Sequence, residues 1–185
     1  NMHEIIDEYA LFCYNCRQEK KRGVFMKKRR LGKTNLEVAP IGFGGIPIQR
    51  ISPEEAKDVI LYALKEGVNF IDSARAYTDS EEKIGYALKG KRKEVVLATK
   101  SGAKTYKDMK NDIRISLENL QTDYIDLYQL HNVKTEEDYE QVFAEEGALK
   151  ALVEAKEEGL IGHIGITSHN TDIALKSLKK FPFAS

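Results

Sequence analysis

The chain is poor in the features that most often fix a protein's chemistry. It has two cysteines in 185 residues. That excludes a disulfide framework and fits a reducing, cytoplasmic setting. It has no net charge, with 29 basic and 29 acidic side chains. This argues against nucleic acid as the main partner and against a strongly charged membrane surface. No apolar run reaches the roughly 18 residues of a membrane helix. The first residues carry Glu4, Asp7 and Glu8 in place of the apolar core of a secretion signal. There is no Gly-x-Gly-x-x-Gly fingerprint; the glycines of "GFGG" read as a tight strand exit. No acyl nucleophile stands out. No metal cage does either, because Cys13 and Cys16 supply only half of a tetrahedral site.

What is present is an ordinary apolar share, 42%, in a chain long enough for one medium domain with a core. Residues 1–25 read as an appended amphipathic helix. Ile5, Tyr9, Phe12, Cys13 and Cys16 fall on one face, with acids at its start and Arg17, Lys20, Lys21 and Arg22 at its end. A different pattern starts at Met26. "KRRLGKTNLEV" carries a turn between two strand-like pieces, and "VAPIGFGG" reads as a strand running into glycines. A unit then repeats. "SPEEAKDVILYALKEG" is a helix with Ser52 as cap, Pro53 in its first turn and Glu55 closing a capping box. The strand "VNFID" follows. Helices over "SEEKIGYALKG", about 108–121 and "GALKALVEAKEEG" lead to the strands "EVVLATK", "YIDLYQLH" and "IGHIGITS". Another helix begins near Asn170, and "FPF" opens a further strand. The lysine- and glutamate-rich helix surfaces read as solvated faces. Alternating strands and helices imply an α/β fold with a parallel sheet, given equally by a doubly wound sheet or a (β/α) barrel.

The strand ends carry the chemistry. Successive apolar runs terminate at Asp72, Lys100, His131, and Thr167 with Ser168. In parallel βα folds the C-terminal ends of the strands share one edge. Residues about 30 positions apart in sequence are therefore expected to meet there, with Tyr77 in the loop just past Asp72. A tyrosine, with a pKa near ~10, is a weak acid at neutral pH. A lysine ammonium beside its oxygen is expected to lower that pKa, and an aspartate offsets the cost of burying the lysine. A histidine supplies a hydrogen bond to a carbonyl oxygen. The set reads as a proton donor for polarising a C=O group. His163 reads as structural, and His169, after the site strand, more as an ordinary loop residue than as a pocket lining.

From Met26 onward the chain resembles the aldo-keto reductases. The resemblance rests on "RRLGKTNLEV", "IGFGG", "NFIDSARAY", "LATK", "DYIDLYQLH" and "EAKEEGLIGHIGIT", in order, over about 155 residues. It implies a TIM-type (β/α)8 barrel whose N-terminal hairpin closes the bottom. It also implies reduction of an aldehyde or ketone with NADPH, or with NADH, and no metal. The implied catalytic set falls on Asp72, Tyr77, Lys100 and His131. Gly44, Gly45, Asp72, Thr167 and Ser168 fall at cofactor-binding positions, the last two where the family commonly has Ser-Asn. Residues 26–185 hold five strands and the start of a sixth out of eight. The loops by which the family grips the cofactor phosphates are not among them, so NADPH is expected to bind weakly. An open barrel leaves two strand edges. These are expected to pair with another copy, to be covered by the 1–25 helix, or to belong to a longer polypeptide. Two other functions compete. One is a non-catalytic binding or regulatory module of the same fold. The other uses Lys100 as a Schiff-base lysine, which an aspartate partner disfavours.

Overall fold

A computed structural model describes residues 26–185. The helix expected over 1–25, with Cys13 and Cys16, lies outside the described residues. The chain starts with a hairpin of β1 (Arg29–Arg30) and β2 (Glu37–Val38), paired antiparallel. Its turn is closed by a 2.9 Å hydrogen bond from the Leu31 N–H to the Leu36 carbonyl.

Then come β3 (Phe43–Gly44), α1 (Pro53–Lys65), β4 (Phe70–Asp72), α2 (Ser80–Ala87), β5 (Val96–Ser101) and α3 (Tyr106–Asn119). They are followed by β6 (Ile125–Leu130), α4 (Glu136–Phe143), α5 (Ala148–Glu157), β7 (Ile161–Ile166) and α6 (Thr171–Lys180). Strands β3 to β7 form one sheet in sequence order, and each neighbouring pair is parallel. Past α6 the Ala184 N–H donates to the Ile164 carbonyl at 2.9 Å, and the Ile166 N–H to the Ser185 carbonyl at 3.0 Å. Ala184 and Ser185, just past "FPF", thus run along β7, but among the described residues the sheet has five strands and the strand expected at "FPF" is not formed.

Local chemistry sets the boundaries. Ser52 and Glu55 form the expected capping box of α1, with Pro53 in its first turn. The expected long strand over "VAPIGFGG" shrinks to Phe43–Gly44. The Ala39 N–H is taken by the Asn69 side chain at 2.7 Å and Pro40 has no N–H, so the sheet ladder cannot start earlier. Helix α4 was not expected; Thr135 and Asp138 give it a capping box of its own.

Register and alternation assign the faces. Ala98 pairs with Asp72 and Leu127, Gln129 with Lys100 and Gly165, and Leu127 with His163, so all these lie on the inner face. Ile71, Leu97, Thr99, Ser101 and Tyr128 face the helices. On this face Ala98, Ile125, Leu127 and Ile161 are buried, at 1% exposure or less. The hairpin plugs the lower end. The Asn69 amide clamps it through the Ala39 N–H and the Glu37 carbonyl, and Asn35 meets His163 at 3.2 Å. His163 is thus a structural contact to the hairpin. No helix among the described residues is long and apolar enough to cross a membrane.

Candidate active site

Each expected catalytic side chain sits where a parallel strand ends. Asp72 is the last residue of β4, Lys100 lies one residue before the end of β5, and His131 follows β6 directly. Tyr77 lies between two turns. Its N–H donates to the Ala74 carbonyl at 3.0 Å, and its own carbonyl accepts from the Ser80 N–H at 2.8 Å. The next residue, Thr78, holds a left-handed φ of 37°, uncommon for a β-branched residue.

The four side chains converge. The Lys100 ammonium donates to Asp72 Oδ2 at 2.5 Å and to the Ser73 carbonyl at 2.8 Å, and only 6% of its side chain is exposed. It also lies 5.5 Å from the centre of the Tyr77 ring. The Tyr77 and His131 rings meet edge to face, with centres 6.0 Å apart and planes at 89°. The pairing of Lys100 offsets the cost of its burial.

The electrostatics correct one expectation. Tyr77 lies above the ordinary tyrosine range, through partial burial first and the Asp72 charge second. The net shift is thus upward, opposite to the lowering expected from Lys100. The ammonium is held by Asp72 and stands over the ring face, while burial disfavours the phenolate. His131 is pushed below its usual value, first by burial and next by the Lys100 charge, with Lys104 and His169 adding to it. At neutral pH the site therefore presents a protonated phenol and a neutral imidazole, both able to donate a hydrogen bond.

The first strand exit is bound tightly to this group. The Gly45 N–H donates to the Asp72 carbonyl at 2.8 Å, and Ser80 Oγ donates to the Gly45 carbonyl at 2.9 Å while lying 2.9 Å from Ser73 Oγ. A Cβ at Gly45 would come within 2.5 Å of Ser80 Oγ, so only glycine fits. At Gly44, on the inner face, a Cβ would meet nothing within 4 Å. That strand exit is bare backbone beside open space, which suits the flat face of a ring.

Thr167 and Ser168 are partly engaged. Thr167 Oγ1 accepts from the Asn132 N–H at 2.9 Å and Ser168 Oγ from the Asn170 N–H at 3.0 Å, while each hydroxyl donates to a carbonyl. Each keeps one acceptor lone pair, which suits an amide NH2. His169 is exposed at the rim.

Sequence reasoning missed the polar layer behind the site. Glu81 and Lys83 of α2, read as part of a solvated face, are 1% and 5% exposed. Glu81 accepts from Arg75 and Thr99, and Lys83 donates to the Ile48 carbonyl at 3.0 Å and pairs with Asp79 at 2.8 Å. The available signal was position: α2 follows directly on the loop of Tyr77, so its first turn must pack against the strand ends.

The geometry is matched by kinship. The family model described as the aldo/keto reductase family matches residues 40–185. The chain belongs to the aldo/keto reductase family. An oxidoreductase of Bacillus subtilis, YqkF, uncharacterized by name, is 31% identical over 171 residues, 84% of this chain and 53% of that protein. The L-galactose dehydrogenase of Arabidopsis thaliana is 33% identical over 171 residues, 83% of this chain and 52% of that one. The methylglyoxal reductase DkgA of Escherichia coli K12 is 37% identical over 125 residues, 66% and 43% of the two chains. Among solved structures, the aldo-keto reductase AKR11C1 of Bacillus halodurans in its holo form superposes with a TM-score of 0.76 at 33% identity, over 86% of this chain and 56% of that one. An aldo/keto reductase from Brucella melitensis gives 0.69 at 26% identity, over 86% and 60%. The chain spans about half the length of the curated relatives it matches. Its five-stranded parallel sheet is part of the family's (β/α)8 barrel.

Proposed function

We propose that the protein, with whatever completes its barrel, reduces an aldehyde or ketone by hydride transfer from a nicotinamide cofactor. The reading assigns NADPH, with NADH as the alternative, and places the protein in the cytoplasm on its cysteine usage. The observation that carries it is the meeting of Asp72, Lys100, Tyr77 and His131 at the C-terminal ends of the strands. Small polar carbonyl compounds are the favoured substrates, in keeping with relatives named for L-galactose and methylglyoxal.

The bare backbone at Gly44 and Gly45, with Asp72, would form the wall against the nicotinamide. The spare lone pairs of Thr167 and Ser168 would accept from its carboxamide. The bound cofactor supplies the hydride that reduces the carbonyl carbon. The neutral His131 ring donates a hydrogen bond to the carbonyl oxygen and orients it. As negative charge builds on that oxygen, the Tyr77 O–H bond breaks and its proton passes to the oxygen, giving the alcohol. An alkoxide is a much stronger base than a phenolate, so the transfer is favourable although the Tyr77 pKa is raised. Lys100 then stabilises the phenolate until solvent reprotonates it, and Asp72 keeps the ammonium in place.

The test is Tyr77→Phe in the complete polypeptide, followed by the loss of reduced-nicotinamide absorbance with a panel of aldehydes. The expected loss of turnover is about 10²-fold or more, the scale of a general acid. Full turnover in this variant would refute the assignment.

A further inference from the structure

Arg75 stands two residues before Tyr77 and takes no part in the chemistry assigned to the site. The loop that carries Tyr77 leaves the sheet late. The Ser73 N–H donates to the Ala98 carbonyl at 2.9 Å and the Arg75 N–H to the Lys100 carbonyl at 2.8 Å, so the ladder between β4 and β5 continues past Asp72. Arg75 is the last residue of that extension. Its side chain points to the outer face, away from the barrel mouth. There Nη1 donates to Glu81 Oε2 at 2.7 Å, and Nε lies 3.7 Å from Asp112 Oδ1.

The two carboxylates also grip β5. Glu81 accepts from Thr99 Oγ1 at 2.8 Å, and Asp112 accepts from Ser101 Oγ. Thr99 and Ser101 are the residues on either side of Lys100. One guanidinium thus joins two acids, and each acid holds one neighbour of the catalytic lysine. Glu81, Thr99 and Ser101 are 1% exposed or less, while the Arg75 and Asp112 side chains are 23% and 26% exposed. A buried carboxylate with its cation in place is strongly held, and removing one partner leaves an uncompensated charge. A lysine in place of Arg75 would bring one point charge where the guanidinium hydrogen-bonds Glu81 and places a second nitrogen 3.7 Å from Asp112.

We propose that Arg75 is a positioning residue of the site, which, held by Glu81 and Asp112 behind the sheet, keeps the turn of Tyr77 in register with the strand of Lys100. The inference rests on Tyr77 being the proton donor. Its physical content does not: it says that the place of the Tyr77 ring depends on a contact made on the opposite face of the sheet.

The first experiment uses the 185-residue chain. With tyrosine labelled at 13Cζ, the resonance of Tyr77, assigned through Tyr77→Phe, is titrated in the parent chain and in Arg75→Met. The parent phenol is expected above the ordinary tyrosine range, through partial burial and the Asp72 charge. In Arg75→Met the phenol should move back toward that range as the ring leaves its partly buried place beside Asp72. Tyr124, whose environment is set by partial burial first and then by Asp126 and Arg92, is the internal control and should not move. If Arg75→Met gives no cooperative melt, Arg75→Lys is read instead, and its Tyr77 titration should fall between the parent and ordinary tyrosine. An unmoved Tyr77 in whichever variant folds overturns the proposal.

The second arm is turnover in the complete polypeptide. Misplacing a reacting group by about 1 Å costs roughly 10²-fold, so Arg75→Met should lower kcat on that scale with KM for NADPH within about two-fold, and Arg75→Lys should partly restore kcat. If Tyr77→Phe keeps full turnover, the reading of the site fails. If Tyr77→Phe is inactive while Arg75→Met keeps the parent kcat, only the positioning role fails.

Discussion

Replacing Gly45 by alanine tests whether the first strand exit is as tightly packed as the structure shows. The added methyl would lie 2.5 Å from Ser80 Oγ, 3.1 Å from Ser73 Oγ and 3.2 Å from the Asp72 carbonyl. Both hydroxyls are fully buried, so neither can swing into solvent. Relieving the clash means moving Ser80, which separates it from the Gly45 carbonyl and from Ser73. Overpacking a core costs about 1–3 kcal/mol, and a buried polar group left without its partner about 1–3 kcal/mol more. Because relaxation shares the two terms, we expect a loss of about 2–4 kcal/mol. At ~2–4 °C per kcal/mol for a domain of this size, Tm should fall by roughly 5–15 °C. Gly44→Ala is the matched control, since its Cβ meets nothing. It should leave stability within ~0.5 kcal/mol while intruding on the proposed nicotinamide wall and weakening NADPH binding. Both are read by calorimetry or urea denaturation. The double variant Gly45→Ala with Ser80→Ala sharpens the test, because removing the hydroxyl removes the clash, and its loss should be smaller than the sum of the single losses. A Gly45→Ala chain that melts with the parent, or strictly additive losses, would show that this contact does not constrain the strand exit.

Other expectations follow from the same contacts. Asn69→Ala removes the amide that holds the Ala39 N–H and the Glu37 carbonyl, and should cost about 1–3 kcal/mol, with hydrogen exchange speeding at Ala39 before the sheet opens. The His131 pKa is lowered on folding; the unfolded state therefore binds more protons as pH falls through the ordinary histidine value of ~6.5. Stability should decline with falling pH from there down to the lowered folded value, and His131→Gln should reduce that slope in denaturation curves taken across the range, the remainder coming from His163, which burial also lowers. The raised Tyr77 pKa keeps the phenol protonated through neutrality, so the alkaline limb of the rate profile should begin above the ordinary value of ~10; a limb near neutral pH would contradict it. The free edge of β3 and the open side of the Ala184–Ser185 segment should pair between copies, giving a dimer by light scattering on the isolated chain; a monomer at micromolar concentration would show that the edges are protected.

The sequence by itself determined the alternation of strands and helices, apart from α4, the parallel sheet and the place of the tetrad. Apolar periodicity marks the strands and the other helices, and in a parallel sheet a polar residue at the end of each strand can only fall on one edge. Asp72, Lys100 and His131 were legible for that reason, and Tyr77 by its nearness to Asp72. Tertiary structure alone decided what surrounds them. Glu81 and Lys83 look like any charged pair on a helix surface, and their burial follows from α2 packing across the strand ends. The direction of the Tyr77 pKa depends on where one ammonium stands relative to a ring and a carboxylate, which spacing does not encode. Asn69 and Arg75 carry no periodic signal at all: each acts through contacts with segments distant in the chain, and those contacts exist only once the hairpin and the helices have closed around the sheet.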